Sequence, residues 1–473
     1  VVNKSVQLLS VKWEKNSKKP LYQQLYEHIK KEIIAGRLKF ATKMPAKRKL
    51  EQILNVSQTT IETAYEQLVA EGYLESVARK GFFVCAREEF LYQPVKVKRQ
   101  KKSKSRPEVT PYRFDFSPGK IDCTMFPFKV WRSLYREAIS YENRHLLRHG
   151  DSFGEPELRE EIKNYLYQSR GVNCQKEQII IGAGIEYLLP QLLSLLGDNK
   201  IYGIEDPGYP LTRHVLESND KKFISVAVDS EGADIRELEK NRVNVMYVTP
   251  SHQFPLGCVM SANRRARLLN WAHNNKSRYI IEDDYDSEFR YYGRTIPSLY
   301  SLGAGKKVIY LSTFSKSLMP SLRIGYMVLP QNLLKKYRKA FSCYASCVSR
   351  IDQYVLAAFM QSGNFIKHLN RMRTAYRKKV ELIMNLLQPY RDKIMVSGEK
   401  AGLHLLLGIK NGQSESKLVK RAGDAGIKIA GLQNYYYLKR GFVADPSLIL
   451  GFADFSEEGL AKAIKELIAC LGI

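Results

Sequence analysis

Six short apolar runs recur between stretches with helical spacing: Ile179–Ile181, Lys200–Ile204, Val245–Val248, Tyr279–Glu282, Val308–Leu311 and Ile324–Leu329. This alternation restricts the fold more than any other feature of the chain. Runs this short and this rich in Ile, Val and Leu read as strands buried on both faces. Parallel neighbours need long crossover connections, and the helical stretches between the runs supply them. The spacing therefore predicts an α/β domain with a mainly parallel sheet over residues 112–473. From about residue 350 the pattern shifts to a smaller α+β portion. It holds strands at Gly402–Gly408 and Leu448–Gly451 and a last helix from Glu457.

Residues 15–88 follow a different pattern. Leu21, Leu25, Ile29 and Ile33 share one helical face, and Gly36 follows as a stop signal. A second helix is predicted over Ala46–Leu54. After the turn Asn55-Val56-Ser57 a third begins, with Ser57 as its N-cap. Tyr73–Ser76 and Gly81–Val84 read as two short strands around a basic turn. Helix, helix-turn-helix and hairpin together make a winged helix-turn-helix. Its third helix offers Ser57, Gln58, Thr59 and Thr60 at an N-terminal edge suited to base edges in a major groove. Lys47 and Arg48 are placed to hold phosphates, and the wing residues Arg79, Lys80 and Gly81 to touch backbone or minor groove.

The charge balance predicts a polyanionic partner, nucleic acid or an anionic membrane face, and the winged helix-turn-helix makes it double-stranded DNA. The chain carries 75 Lys and Arg against 48 Asp and Glu, a net +27. Residues 1–111 hold 23 of these cations but only 11 of the acids. Residues 89–111 read as a tether, because Lys96–Arg106 packs seven cations and no acid into eleven residues. No run of about 18 apolar residues exists, so no membrane-spanning helix is expected. The first fifteen residues lack the apolar core of an export signal. Seven scattered cysteines fit reduced thiols in a cytoplasm. Cys343 and Cys347 lie close but lack a second pair or a histidine cluster, so no metal site is expected.

Five pieces of the larger region carry chemistry, each at the end of an expected strand. Ser312–Leu318 sets Lys316 among hydroxyls, with Arg323 seven residues on. A lysine in a partly dry pocket loses its proton and becomes a nucleophile, while hydroxyls and an arginine suit a phosphate. Ile280–Asp286 offers Asp283 as partner for a pyridinium nitrogen and Tyr285 as a phenol two residues later. Ile181–Glu186 is a small-residue turn into a helix, where the backbone can approach a phosphate and the helix N-terminus favours the anion. Glu205–Pro210 presents Tyr209, and Thr249–Gly257 is a polar loop with His252 and Gln253.

In this order the five pieces resemble the fold-type I aminotransferases, which bind pyridoxal 5′-phosphate. The resemblance covers residues 115–473. It implies a Schiff base on Lys316, Asp283 on the pyridinium nitrogen, Tyr285 on the ring oxygen, and Tyr209 stacked on the ring. It puts Arg323, Thr313, Gly184 and Ile185 on the phosphate, and His252 and Gln253 near the ring. The N-terminal module resembles the GntR superfamily. Joined to an aminotransferase-like domain, it resembles the MocR-family transcriptional regulators, of the GabR-like branch. The phrases EDDYDSEFR (282–290), PSHQFP (250–255) and TFSKSL (313–318) carry that resemblance.

The family implies a domain-swapped homodimer on an operator, at the nucleoid of a bacterial cytoplasm. It also implies an amino compound, or pyridoxal phosphate itself, sensed through an aldimine at Lys316 to control a metabolic operon. Several positions depart from the family pattern. Gln58 stands where an arginine is frequent, and Pro45-Ala46-Lys47-Arg48 keeps the arginine but not the serine. The segment Ser447–Phe452 lacks the arginine that holds a substrate carboxylate in aminotransferases. Leu211 and Asn434 stand where sensors of γ-aminobutyrate carry arginines, so that ligand is not expected. Arg213 and Arg440 are the candidate cations for an effector. The alternative is a working aminotransferase in which Lys316 shuttles a proton; the missing arginine argues against turnover.

Overall fold

The computed structural model describes residues 11, 13, 19–85, 112–293, 296–438 and 445–473. They fall into two compact units, one up to residue 85 and one from residue 112. The expected tether over 89–111 lies outside the described residues, as does Arg440.

The first unit is three helices and a hairpin. The helices span Leu21–Ile34, Lys47–Leu54 and Gln58–Ala70. Asn55, at φ 53°, turns the chain out of the second helix. Ser57 then opens the third, its Oγ accepting the N–H of Thr60 at 3.3 Å. Strands β1 (Leu74–Val77) and β2 (Gly81–Val84) pair antiparallel, with Leu74 opposite Val84. Leu25, Ile29, Ile33, Leu50, Ile61, Ala64, Tyr65, Leu68, Leu74 and Val84 close a single core. Tyr65 packs edge-on against Phe82 at 5.1 Å and donates its hydroxyl to the Pro45 carbonyl at 3.1 Å, which ties helix, turn and wing together.

The second unit has a large and a small lobe. Its first strand, β3 (Phe114–Asp115), belongs to the small lobe. The large lobe follows with β4 (Ile179–Gly182), β5 (Ile201–Asp206), β6 (Lys222–Asp229), β7 (Gly232–Ala233), β8 (Val245–Val248), β9 (Tyr279–Asp283), β10 (Val308–Thr313) and β11 (Gly325–Val328). They form one sheet in the order β4-β11-β10-β9-β8-β5-β6-β7. Strands β10, β9, β8, β5 and β6 are parallel, while β11 runs antiparallel between β4 and β10 and β7 caps the far edge antiparallel. The sheet is therefore mixed, with a parallel centre. Alternate residues serve opposite faces. Ile179 and Ile181 pack with Leu158, Ile162 and Phe359 on one side, and Ile180 with Leu188, Leu192 and Leu216 on the other.

The small lobe is a four-stranded sheet, β12-β13-β16-β15, from Ile394–Ser397, His404–Ile409, Ser447–Gly451 and Ala430–Gly431. Strand β14 (Ile427–Lys428) pairs in parallel with β3, so the segment after residue 112 joins this lobe before the large lobe begins. The change of lobe does not fall near residue 350. Val355, Leu356, Phe359 and Leu369 pack in the large lobe, whereas Met372, Tyr376 and Val380 pack in the small one. The helix Asn364–Leu387 crosses between them, and periodicity within one helix cannot show that its two ends have different neighbours.

Candidate functional site

Every strand that feeds the site ends on the same side of the sheet, where the loops after parallel strands converge. These loops and the small lobe enclose a cavity of about 820 Å³. Asp283, Tyr285, Lys316, Thr313, Arg323, Gly184, Ile185, Tyr209 and Arg213 all line it, as do Asp286, Ser315, Glu186, Glu217, Phe254, His404 and Tyr435.

The acidic run at the end of β9 splits by alternation. Glu282 and Asp284 turn away from the cavity. Glu282 accepts the N–H groups of Leu299 and Tyr300 at 2.8 and 2.9 Å, and Asp284 takes the Arg170 guanidinium at 2.7 Å. Asp283 and Tyr285 face the cavity. Asp283 accepts the hydroxyl of Tyr247 on one oxygen, and its other oxygen is buried with no partner. Burial pushes its carboxyl up to about 7; the Tyr247 bond opposes this and the charges of Asp284, Asp286 and Glu205 add to it.

Lys316 lies on the turn after β10, its Nζ donating to the Gly119 carbonyl. Burial lowers its ammonium to about 8, opposed by Asp286. Beside it, Thr313 Oγ1 lies 2.8 Å from Ser315 Oγ and bonds the Ile324 carbonyl at 3.1 Å. Gly184 caps the helix Ile185–Leu196 at φ 96°, a conformation that leaves the first helical N–H groups facing the cavity end. Arg323 reaches the same place, donating to Glu186 at 2.7 Å and to the Ala183 carbonyl at 3.3 Å. A helix N-terminus, two hydroxyls and a guanidinium form a cradle for a dianionic phosphate.

Two expected ring contacts sit differently. His252 and Gln253 are 1% exposed and neither lines the cavity. The Gln253 amide is spent on the carbonyls of Pro207 and Phe254 at 2.9 and 2.7 Å, so it shapes the loop. His252 lies beneath Tyr285, 3.1 Å from its hydroxyl. Arg213 lies over the ring of Tyr437 at 4.1 Å, with Nε on Glu217 at 2.9 Å. Sequence reasoning assigned no role to Tyr247, Ser315 or Asp286. A tyrosine inside an aliphatic strand and a second serine beside the lysine are the signals that point to the first two.

In the first unit Gln58, Thr59, Arg48, Arg79, Lys80 and Gly81 are exposed and Thr60 is half-buried. The Ser57 hydroxyl is occupied by Thr60. Lys47 differs from expectation: its Nζ pairs with Glu62 and sits 5.5 Å over the Phe82 ring, which ties the second helix to the third and to the wing.

A family model described as "Aminotransferase class I and II" matches residues 122–467, and one described as "Bacterial regulatory proteins, gntR family" matches residues 21–84. The chain is 42% identical over 461 residues to the "Uncharacterized HTH-type transcriptional regulator YdeL" of Bacillus subtilis, covering 95% of this chain and 96% of that one. It is 33% identical over 465 residues to the "Probable rhizopine catabolism regulatory protein MocR" of Rhizobium meliloti, covering 95% and 93%. The chain belongs to the MocR family of transcriptional regulators.

The structure of kynurenine aminotransferase from Pyrococcus horikoshii matches with a TM-score of 0.68 at 24% identity, over 77% of this chain and 92% of that one. The second unit of this MocR-family regulator thus has the fold-type I aminotransferase fold, and its cofactor is pyridoxal 5′-phosphate. The residues fit that group. The unpartnered buried oxygen of Asp283 can accept from a protonated ring nitrogen, and the N-terminus at Gly184 with the Thr313 and Ser315 hydroxyls suits a phosphate, for which Arg323 would turn from Glu186.

Proposed function

We propose that this regulator senses a primary amine in the Lys316 cavity, with pyridoxal phosphate held there, and changes its grip on operator DNA in response. The observation that carries the reading is the meeting, in one cavity, of a lysine whose ammonium is disfavoured and a buried carboxylate oxygen left open. Bound pyridoxal phosphate supplies an aldehyde that condenses with amines and a ring that draws electrons from the product.

The chain's own residues do the rest. Asp283 would hold the ring nitrogen, kept in place by Tyr247. Gly184, Ile185, Thr313, Ser315 and Arg323 would hold the phosphate, Tyr285 the ring oxygen and Tyr209 the ring face. Lys316 would hold the aldehyde, and with burial lowering its ammonium to about 8 the free side chain gives up its proton more readily than a solvated lysine. Arg213, steadied by Tyr437 and Glu217, offers the remaining edges of its guanidinium to a ligand at the cavity wall. Strand β16 carries no arginine, which favours sensing over transamination. In this reading the protein is a homodimer in a bacterial cytoplasm. Arg48, Gln58, Thr59, Arg79 and Lys80 contact the operator, and ligand and operator are coupled by about 1–3 kcal/mol.

The test pairs visible absorbance with operator affinity. Pyridoxal phosphate is titrated into the purified protein, followed by a panel of primary amines and amino acids. A band that one compound shifts and leaves stable, with operator affinity changed about 5- to 150-fold, is expected. Lys316→Ala should abolish both. Ligand-dependent operator binding that survives Lys316→Ala would overturn the reading. Decay of the band with release of a keto acid would make the protein an aminotransferase.

A further inference from the structure

A helix-turn-helix lays its second helix in the major groove, with the N-terminal residues against the base edges. In the first unit that helix is Gln58–Ala70, and its sequence, QTTIETAYEQLVA, holds no arginine, lysine or histidine. Exposed cations stand on the helix before it, at Arg48 and Lys49, and on the wing, at Arg79 and Lys80. Cations placed there suit phosphates, which carry no sequence information. The choice of base is thus left to the neutral and acidic side chains of Gln58–Ala70.

Most of these are already spent. Ser57 Oγ accepts the N–H of Thr60 at 3.3 Å and lies 2.9 Å from the Thr60 hydroxyl, so the cap occupies both. Thr63 donates its hydroxyl to the Thr59 carbonyl at 2.9 Å. Tyr65 is buried with Ile61, Ala64 and Leu68, and gives its hydroxyl to the Pro45 carbonyl at 3.1 Å. Glu62 holds Lys47, and the Gln67 amide reaches Glu71 at 3.4 Å. Three exposed polar side chains of the helix have no partner among the described residues: Gln58, Thr59 and Glu66.

These three differ in what they can read. The Thr59 hydroxyl donates or accepts as its surroundings ask, so it does not discriminate. Glu66 only accepts, and guanine presents two acceptors, O6 and N7. Gln58 carries a donor and an acceptor side by side. Adenine matches that pair, since N6–H2 donates to the amide carbonyl while N7 accepts from the amide N–H. Guanine would leave the carbonyl facing O6, and thymine and cytosine each offer a single polar atom. We propose that Gln58 selects an adenine in each operator half-site and is the residue of this helix that fixes base identity.

This inference rests on the reading that the first unit grips an operator. It is carried by how firmly the residue is placed. Gln58 is the first residue of the helix, directly after the Ser57 cap. The Tyr65 bond ties the same helix to the turn before its neighbour. A side chain held on a fixed backbone keeps one register against the base edges, which a glutamine in a loop would not.

The experiment is selection of duplexes from a randomised window by the full-length protein with its cofactor, in three forms: unsubstituted, Gln58→Arg and Gln58→Ala. The unsubstituted protein should enrich an A·T pair at one position of each half-site. Gln58→Arg, whose guanidinium offers donors to both O6 and N7, should turn that pair to G·C and leave the others as they were. Gln58→Ala should accept any pair there, and its affinity for the original best site should fall about 5- to 150-fold.

Unchanged preferences in both variants overturn the proposal, as does any preference other than A·T at the position that Gln58→Ala relaxes. If Gln58→Arg does not fold, Gln58→Ala decides alone by whether it relaxes one A·T position. The two readings fail differently. No enrichment by the unsubstituted protein would sink the operator reading itself, whereas enrichment indifferent to Gln58 would leave that reading standing and end this one.

Discussion

Lys316 gives up its proton at about 8 because burial strips the ammonium of water. Only the neutral amine attacks an aldehyde, so cofactor uptake by the apoprotein should rise about tenfold per pH unit below 8 and level off above it. Stopped-flow absorbance measures this, and a rate still climbing at the solvated-lysine value of about 10.4 would show the side chain in water. The apoprotein binds fewer protons at this site than its unfolded chain between about 8 and 10.5, so the stability due to this group rises with pH across that window.

Asp283 has the opposite sign. Its carboxyl is raised to about 7 from 3.8, so the folded apoprotein binds more protons there, and stability falls as pH rises through that window. Asp283→Asn should therefore stabilise the apoprotein at pH 8 by an amount of order 1 kcal/mol, while cofactor affinity drops about tenfold or more. Thermal melts with and without pyridoxal phosphate decide it; a destabilised apoprotein would mean the carboxylate is satisfied. Residue types at strand ends made Lys316 and Asp283 legible in the sequence. What a side chain spends its hydrogen bonds on is not written there: Lys47 pairs with Glu62, and the Gln253 amide bonds the carbonyls of Pro207 and Phe254.

The elements follow from patterns that one stretch of chain carries by itself. Strands β4, β5, β8, β9, β10 and β11 are continuous apolar runs, buried on both faces, and stand where the runs predict them. Strand β6 lies toward the sheet's edge and mixes exposed, half-buried and buried positions; its run Phe223–Val228 is broken by Ser225, and the six runs read from the sequence leave it out. The pairing of β3 with β14 joins residues about 313 apart, and nothing local encodes it. Gly184 shows how an element makes a site: the helix Ile185–Leu196 can start at the cavity only because its cap sits at φ 96°. An alanine there pays about 1–3 kcal/mol of backbone strain and brings a Cβ within 2.5 Å of Arg323 Nη2. Gly184→Ala should weaken pyridoxal phosphate binding about tenfold or more, measured by equilibrium absorbance. An unchanged Kd would remove the helix terminus from the phosphate site.

For the molecule as a whole, charge placement assigns the task of each unit. The first 111 residues carry +12 of the net +27, a denser positive charge than the rest of the chain, and the described wing turn displays Arg79 and Lys80 to solvent. A protein that neutralises phosphates releases condensed cations, so the slope of log affinity against log salt counts its contacts at about 0.9 each. In the proposed homodimer every contact is presented twice. Arg79→Ala should flatten the slope by about 1.8 if both winged modules sit on DNA, and by about 0.9 if only one does. Lys47→Ala is the internal contrast, because its ammonium is held by Glu62 and Phe82. It should lower the melting temperature and leave the slope unchanged. Fluorescence anisotropy over a series of salt concentrations reads both. A slope that moves with Lys47 and not with Arg79 would show that the wing turn makes no phosphate contact.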